Sequence, residues 1–597
     1  MLNVLLTYFS FLGLVALTSR LVTSKYRAEY PCSLILAMIV LYLFGCVQLL
    51  SVGLYIVILG ALAGGTMVTW DLFSRANHRF VIFRQAIELA VLFGLAWTLS
   101  WGSEYWVWDE FSHWGAEAEF LFITNNLPVS SESLVFPNYI PGISLLRYFG
   151  EVLLQGSGAS SSYFITWLFA LSALYCVSYS ESRIKWGLTV VTVFFAYLGF
   201  FQTLTLTLLI DPLQSLLFLC ALRFAQKNDD DSFRIVLLAV IALVLLKHVG
   251  IILGGFVWVY YVCVRLLIDK QPAKAILRRA LLLLSAVLVT FVSWEVYVGV
   301  YDLSIKFAGM SIMFKGPGLI ENFSVGMHHV IWNLYPHAAF LPPAYPIEFL
   351  TPGIPLWEFA CIVAGAGILF HLNRKTEKKQ MALAFAFLLF TGFAYLMFLS
   401  YVTVASGWFS DVYSFSRYFI VVLFATFFLQ YFVTREDLSL VRCALITAVM
   451  VGLAYVTAPP LSTFFVQEKR QPVPVNEEYK VKAEQLKKYA KDDERILYVD
   501  GKNSSFGYFI FRLKTLPLRY LPYPSTYFIN DMTTNYARNY QRFRTVLCEF
   551  DYVYVDGAPE LFWKRNSRLF DEMGGHVYKV NHDYESSRYC NATLLEK

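Results

Sequence analysis

The sequence predicts a polytopic α-helical membrane protein, about fourteen transmembrane helices followed by a small C-terminal extracytoplasmic α/β domain. Three observations carry that prediction. Of 597 residues, 57% are hydrophobic, 17% aromatic and only 15% charged, too little polar surface to cover a water-soluble fold of this size. Apolar runs long enough to cross ~30 Å of hydrocarbon as helix recur as far as residue 458. Beyond residue 459 the runs stop, and prolines and charges take over.

The first four runs lie near 2–19, 31–50, 52–70 and 81–101. No basic stretch precedes the first and no small-residue cleavage site follows it, so it is expected to stay as a helix. Six more lie near 161–180, 187–206, 208–226, 233–247, 249–268 and 280–300, and four near 356–372, 381–401, 416–433 and 441–458. Short loops rich in Lys and Arg mark the cytoplasmic side. They hold Arg20, Lys25 and Arg27, then Arg75 and Arg79, Arg183 and Lys185, Arg223 and Lys227, Lys270 to Arg279, Arg374 to Lys379, and Arg435 and Arg442. The opposite side receives loop 102–137, which has no Lys or Arg but carries Glu104, Asp109, Glu110, Glu117, Glu119 and Glu132. It also receives the Pro/Gly-broken loop 302–355, expected to lie on the membrane surface.

Between these loops the charge pattern leaves room for one crossing where two apolar segments occur. Segment 138–154, with Pro141 and Arg147, is therefore expected to lie along the outer interface or re-enter. The competing reading lets both segments cross.

From 459 to 597 the chain reads as a separate unit. NEEYKVKAEQLKKYA is helix-like, and ERILYVDG, FDYVYVDG and GHVYKV read as short buried strands. Two of the nine cysteines, Cys548 and Cys590, fall here, and an oxidising compartment would allow them to pair. There is no metal-ligand spacing, Walker A or dinucleotide fingerprint, and nothing suggests a nucleic-acid partner.

Polar residues on the outward side supply the candidate chemistry. WVWDEFSHWG (106–115) packs Asp109, Glu110 and His113 among Trp106, Trp108 and Trp114. Asp211 and Pro212 open a helix, Lys247 and His248 end the next, and Arg417 and Tyr418 enter a late one. If the chain carries out the sugar transfer that the family resemblance described next implies, attack on a phosphate-linked anomeric carbon requires a carboxylate near the acceptor hydroxyl and cations near the departing phosphate, because negative charge builds on the leaving oxygen. Asp109 is the expected base, with Glu110 or Asp211 assisting. Lys247 and Arg417 are the expected donor-phosphate ligands, Arg as a fork and Lys as a point charge. His113, Trp108, Trp114, His248 and Tyr418 are the expected substrate contacts. Each has a plainer alternative: tryptophans in the aromatic belt, Asp211 as a helix N-cap, Lys247 and Arg417 as snorkelling helix ends.

In their order along the chain these motifs resemble one family. An Asp-Glu pair after an early helix, IDPLQSLLFLCAL, LLKHVGIILGG, SFSRYFIVVLF and a C-terminal α/β domain are similar to the GT-C-type membrane glycosyltransferases, among them the polyprenyl-phosphate-mannose and aminoarabinose transferases. The resemblance covers roughly 80–458. It divides the chain into an N-terminal extension (1–80), a catalytic module (81–458) and the exported domain (459–597). The acidic loop follows a fourth helix here instead of the first, and the family's Pro-Pro-Leu pattern survives only as FPNYIPGI. The resemblance implies sugar transfer from a polyprenyl-phosphate-linked donor to a glycan, lipid or protein acceptor of the cell envelope. It places the protein in a bacterial inner membrane among membrane lipids, with the site extracytoplasmic, and leaves a divalent metal open. A transporter or lipid-linked glycan flippase is the competing class, disfavoured by the absence of an internal repeat in the helices. The exported domain is expected to touch the outer loops and position the acceptor without supplying the base.

Overall fold

The computed structural model describes the chain outside residues 304–377, 406–412, 458–473 and 529–542, the shorter stretches 23–25, 435–437, 502–504, 521–526, 544–545 and 583–589, and residues 1, 75, 157, 493 and 597. Loop 302–355 and the run 356–372 therefore lie almost wholly outside the described residues. Two compact units emerge, one from 1–103, 139–297 and 306–469, the other from 104–138, 298–305 and 470–597.

The first unit is helical. It begins with α1 (Leu2–Leu21), α2 (Glu29–Cys46), α3 (Leu50–Ser74) and α4 (Ala76–Ser100), each with a stretch long and apolar enough to cross a membrane. α1 and α3 cross with their backbones in contact. A Cβ on Gly64 would meet the Gly13 carbonyl oxygen at 1.9 Å, so only glycine permits this approach.

After the segment that joins the other unit (which contains α5, Gly115–Thr124) come α6 (Gly142–Leu154), α7 (Ala159–Val177), α8 (Arg183–Phe201), α9 (Asp211–Ala225), α10 (Asp230–Leu246), α11 (Gly250–Cys263) and α12 (Ala273–Val300). The later helices are α13 (Lys378–Ala405), α14 (Tyr413–Thr434) and α15 (Leu440–Thr457).

Eight helices among the described residues are long and apolar enough to cross a membrane, and the chain is an integral membrane protein. The expectation of about fourteen is not reproduced one for one. Runs 208–226 and 233–247 form helices of 15 and 17 residues. At ~1.5 Å per residue these reach ~23–26 Å, short of the hydrocarbon thickness. Both are cut by the polar residues that sequence analysis singled out: Asp211 and Pro212 start α9, and Lys247 stops α10. Segment 138–154 becomes the 13-residue α6, also too short to cross. Its Arg147 and Glu151 turn into the protein and are fully buried.

The second unit is built on a six-stranded sheet ordered β2-β1-β4-β5-β6, with β3 also on β1. Its strands are β1 (Arg495–Asp500), β2 (Arg519–Tyr520), β3 (Tyr527–Phe528), β4 (Tyr552–Asp556), β5 (Val577–His582) and β6 (Cys590–Glu596). β1, β4 and β5 match the three strand-like segments, and α16 (Pro474–Lys487) the helix-like one. The remaining helices are α17 (Ser505–Lys514) and α18 (Glu560–Asn566). β1 pairs in parallel with β2, β3 and β4, whereas β4–β5 and β5–β6 are antiparallel. Val499, Val553 and Val555 pack with Phe543 and Phe562 in the core. The repeated YVDG segments align, so Tyr498 stacks on Tyr554 and Asp500 lies beside Asp556. Cys548 and Cys590 form a disulfide.

Candidate functional site

The candidate residues fall in two places, one in each unit. In the helical unit the best defined is Asp211. It is the first residue of α9, with Pro212 behind it at a position whose missing N–H costs nothing. The carboxylate is fully buried and accepts a bond from Lys247 Nζ at 2.9 Å, so its partner lies 36 residues away. This is a tertiary ion pair, not a local helix cap.

Lys247 reaches Asp211 because the chain breaks there. The backbone leaves α10 in an extended conformation at Lys247 (φ −164°, ψ 146°) and turns at once into α11, with the Gly250 N–H donating to the Lys247 carbonyl at 2.7 Å. Gly250 sits where a Cβ would meet the Leu243 carbonyl oxygen at 1.9 Å, which makes the tight reversal a glycine position. The Lys247 ammonium lies 4.2 Å from the centre of the Tyr418 ring on α14, a cation–π distance. Tyr395 of α13, fully buried, is an electrostatic neighbour of both Asp211 and Tyr418.

His248 faces another helix. Its Nε2 lies 3.5 Å from Glu295 of α12, with the rings of Tyr139 and Phe291 near it. Two adjacent residues at one helix break thus engage carboxylates on different helices. Glu295 was not anticipated, although a lone acid inside the run 280–300 is a signal of function in its own right. Arg147 was noted only as an interruption. It donates to Thr166 Oγ1 at 3.2 Å and to the Leu208 carbonyl at 2.8 Å, three residues ahead of Asp211. Arg417 lies on α14, and its side chain is outside the described residues.

In the second unit, WVWDEFSHWG enters a π-helical turn, Glu110–Trp114, that runs on as α5. Such turns are enriched at functional positions. The Trp106 and Val107 N–H groups donate to Glu110 Oε2 at 2.8 and 3.1 Å, and the Glu110 side chain is fully buried. Glu110 therefore serves its own backbone, satisfying donors that a helix start leaves open. Asp109 beside it is half-buried. His113 is buried against Trp114 and Phe136, with Nδ1 2.7 Å from Ser112 Oγ. Trp114 is only 2% exposed and packs inside the protein, while Trp108 is half-buried and edge-on to Phe509 at 4.7 Å. Farther along, burial pushes the Glu119 carboxyl up to about 7, against the pull of Lys514. Among the described residues no three His, Cys, Asp or Glu side chains are gathered as a metal site.

These features define a helical integral membrane protein that carries a buried Lys–Asp ion pair at a helix break and a mixed α/β unit at its C-terminus. No family model matches the chain, and no curated protein matches it. Solved structures similar to it include two of one protein. One is ArnT from Cupriavidus metallidurans bound to undecaprenyl phosphate, 13% identical with a TM-score of 0.36, over 87% of this chain and 98% of that one. The other is the same protein in the apo state, 12% identical with a TM-score of 0.37, over 85% and 98%.

Proposed function

We propose that the chain is a membrane glycosyltransferase, moving a sugar from a polyprenyl-phosphate-linked donor to a glycan, lipid or protein acceptor on the outer face of a bacterial inner membrane. The observation that carries this reading is the Lys247–Asp211 pair, buried among apolar helices at 2.9 Å. An ammonium kept at that depth is costly, and a ligand with an anionic head and a hydrocarbon tail matches both the charge and its surroundings. The Cys548–Cys590 disulfide favours an oxidising compartment for the C-terminal unit, and so the outward orientation.

Asp109 takes the proton of the acceptor hydroxyl as its oxygen attacks the anomeric carbon. The bond from that carbon to the phosphate oxygen breaks, and the phosphate leaves with the electron pair. Lys247 and Arg417 balance the charge it gains, and Asp211 holds Lys247 in place. The products are the glycosylated acceptor and polyprenyl phosphate. Trp108, Tyr418 and His248 contact the substrates, while Glu110, His113 and Trp114 keep the loop in shape.

Proteoliposomes holding the purified protein and polyprenyl-phosphate sugars, followed by mass spectrometry of the lipids, test it. Free polyprenyl phosphate accumulating with a glycosylated acceptor supports transfer. Donor that stays chemically intact while crossing leaflets would establish the flippase reading.

A further inference from the structure

We infer that Arg512 is a positioning residue, which holds the Asp109 segment from the α/β fold so that the C-terminal unit serves transfer by fixing the base. The role in transfer rests on the glycosyltransferase reading; the clamp does not.

Glu132 is the point of attachment. Its carbonyl accepts from Arg512 Nη2 at 2.7 Å and from the Tyr520 N–H at 3.2 Å, and its carboxylate pairs with Arg495 at 2.6 Å. One residue of the segment is thus gripped by α17, β2 and β1 together. Arg512 is 2% exposed, its Nη1 meets Tyr508 Oη at 3.1 Å, and its guanidinium lies 5.3 Å from the Tyr520 ring centre. A guanidinium buried this completely is expensive unless its fork is used, and here the fork spans a backbone carbonyl and a phenol.

The same helix touches the segment a second time. Phe509, three residues before Arg512 and so on the same side of α17, meets the Trp108 ring edge-on at 4.7 Å. Trp108 precedes Asp109. Phe136, four residues past Glu132, contacts both His113, at 5.3 Å, and Trp108, at 6.1 Å. The stretch 108–132, which bears Asp109 near its start, is therefore held at both ends by one ten-residue helix that lies 380 residues later in sequence where it meets Glu132. A base must come within hydrogen-bond reach of its proton, and a misplacement of about 1 Å costs on the order of a hundredfold in rate.

Arg512→Met in the full-length protein, in nanodiscs, tests this by hydrogen–deuterium exchange and by transfer kinetics. Exchange across 106–118 should rise at least about tenfold while β1 and β4 stay protected. Turnover should fall roughly tenfold to a hundredfold with donor KM held within about twofold, and Arg512→Lys should restore part of it. Unchanged exchange across 106–118, or a raised KM with intact turnover, would overturn the inference. Should Arg512→Met expose β1 and β4 as well, Arg512→Lys, which keeps the charge and gives up the fork between the Glu132 carbonyl and Tyr508, is read by the same two measurements: a smaller rise in exchange across 106–118 supports the clamp, and unchanged exchange there overturns it. If the wild-type protein transfers no sugar, the proposed function fails, and exchange alone decides the clamp.

Discussion

The two units contain nearly the same trio. In the helices, Lys247 pairs with Asp211 at 2.9 Å and sits 4.2 Å from the Tyr418 ring centre. In the α/β unit, Lys482 pairs with Asp556 at 2.7 Å and sits 4.4 Å from the Tyr479 ring centre. Burial does not tell them apart, because the lysine side chains are 12% and 13% exposed and the aspartates 1% and 2%. Their place on the backbone does. Lys482 lies in the body of α16 and Asp556 at the end of β4, whose carboxylate also takes the hydroxyls of Tyr479 and Tyr498 at 3.0 and 2.7 Å. That trio ties a helix to a sheet. Lys247 lies on extended chain between two helices and Asp211 on the first residue of another. Charge placed where helices break is the arrangement that ion and anion sites in membrane proteins use.

Removing the cations should separate the two trios most sharply. Lys247→Ala leaves a carboxylate buried without its lysine, a loss of about 3–5 kcal/mol, and should abolish donor binding measured by titration with polyprenyl phosphate. Lys482→Ala should lower the melting point of the α/β unit and leave donor affinity alone. Equal donor affinity in wild type and Lys247→Ala would erase the distinction.

Reduction should act on one unit only. The Cys548–Cys590 bridge closes a loop with a sequence separation of 42, worth about 4 kcal/mol by the chain-entropy relation. Cys590→Ser should therefore destabilise the α/β unit in a denaturant titration while the helical circular dichroism signal persists. Coincident loss of both signals would show the units to be one cooperative block.

The adjacent acids of the loop should differ as well. Asp109→Asn is expected to reduce turnover by about 10²-fold or more with folding intact. Glu110→Gln weakens two charge-assisted bonds to the backbone, about 1.5–3 kcal/mol, and should show first as faster exchange across 104–110. Near-native turnover in Asp109→Asn with an inactive, folded Glu110→Gln would exchange the roles.

The smallest effects concern pH, and they run in opposite directions within the second unit. Burial raises the Asp556 carboxyl, but bonds from Lys482 and Tyr498 outweigh it and hold it below the usual carboxylate range. Its contribution is present above the unfolded value near 3.9 and is lost as pH falls through the folded one. Glu119 is raised to about 7, so its contribution is complete below the unfolded value near 4.3 and disappears as pH climbs through about 7. Melting curves between pH 3 and 8 should flatten at the acid end in Asp556→Asn and at the neutral end in Glu119→Gln. Unaltered curves would mean that neither carboxyl is linked to folding.

The strands β1, β4 and β5 were legible because short runs of β-branched and aromatic residues bounded by charge and glycine are a local signal, and β1 and β4 are buried along nearly their whole length. The polar ends of α9 and α10 were legible as interruptions of apolar runs, although the shortness of the helices between them was not, since an apolar run does not say where backbone turns. Glu110 could not be separated from Asp109, because the difference is the direction in which a loop carboxylate points. Lys482 with Asp556, and Arg512 with Glu132, are 74 and 380 residues apart and become neighbours only when the chain folds. Glu295 is legible in principle, as the single acid in the apolar run 280–300.

Arg147 sets a timetable for making the protein. Its hydrogen bond to the Leu208 carbonyl joins residues 61 apart. At about 5–20 residues per second, the ribosome delivers that carbonyl some 3–12 s after the arginine. Until then the stretch leading to Asp211 has no tether to α6. The ion-pair region of the helical unit is therefore completed late, after α7 and α8 have been synthesised, and a stalled or truncated chain ending before residue 208 would carry the guanidinium without the acceptor that its final place supplies.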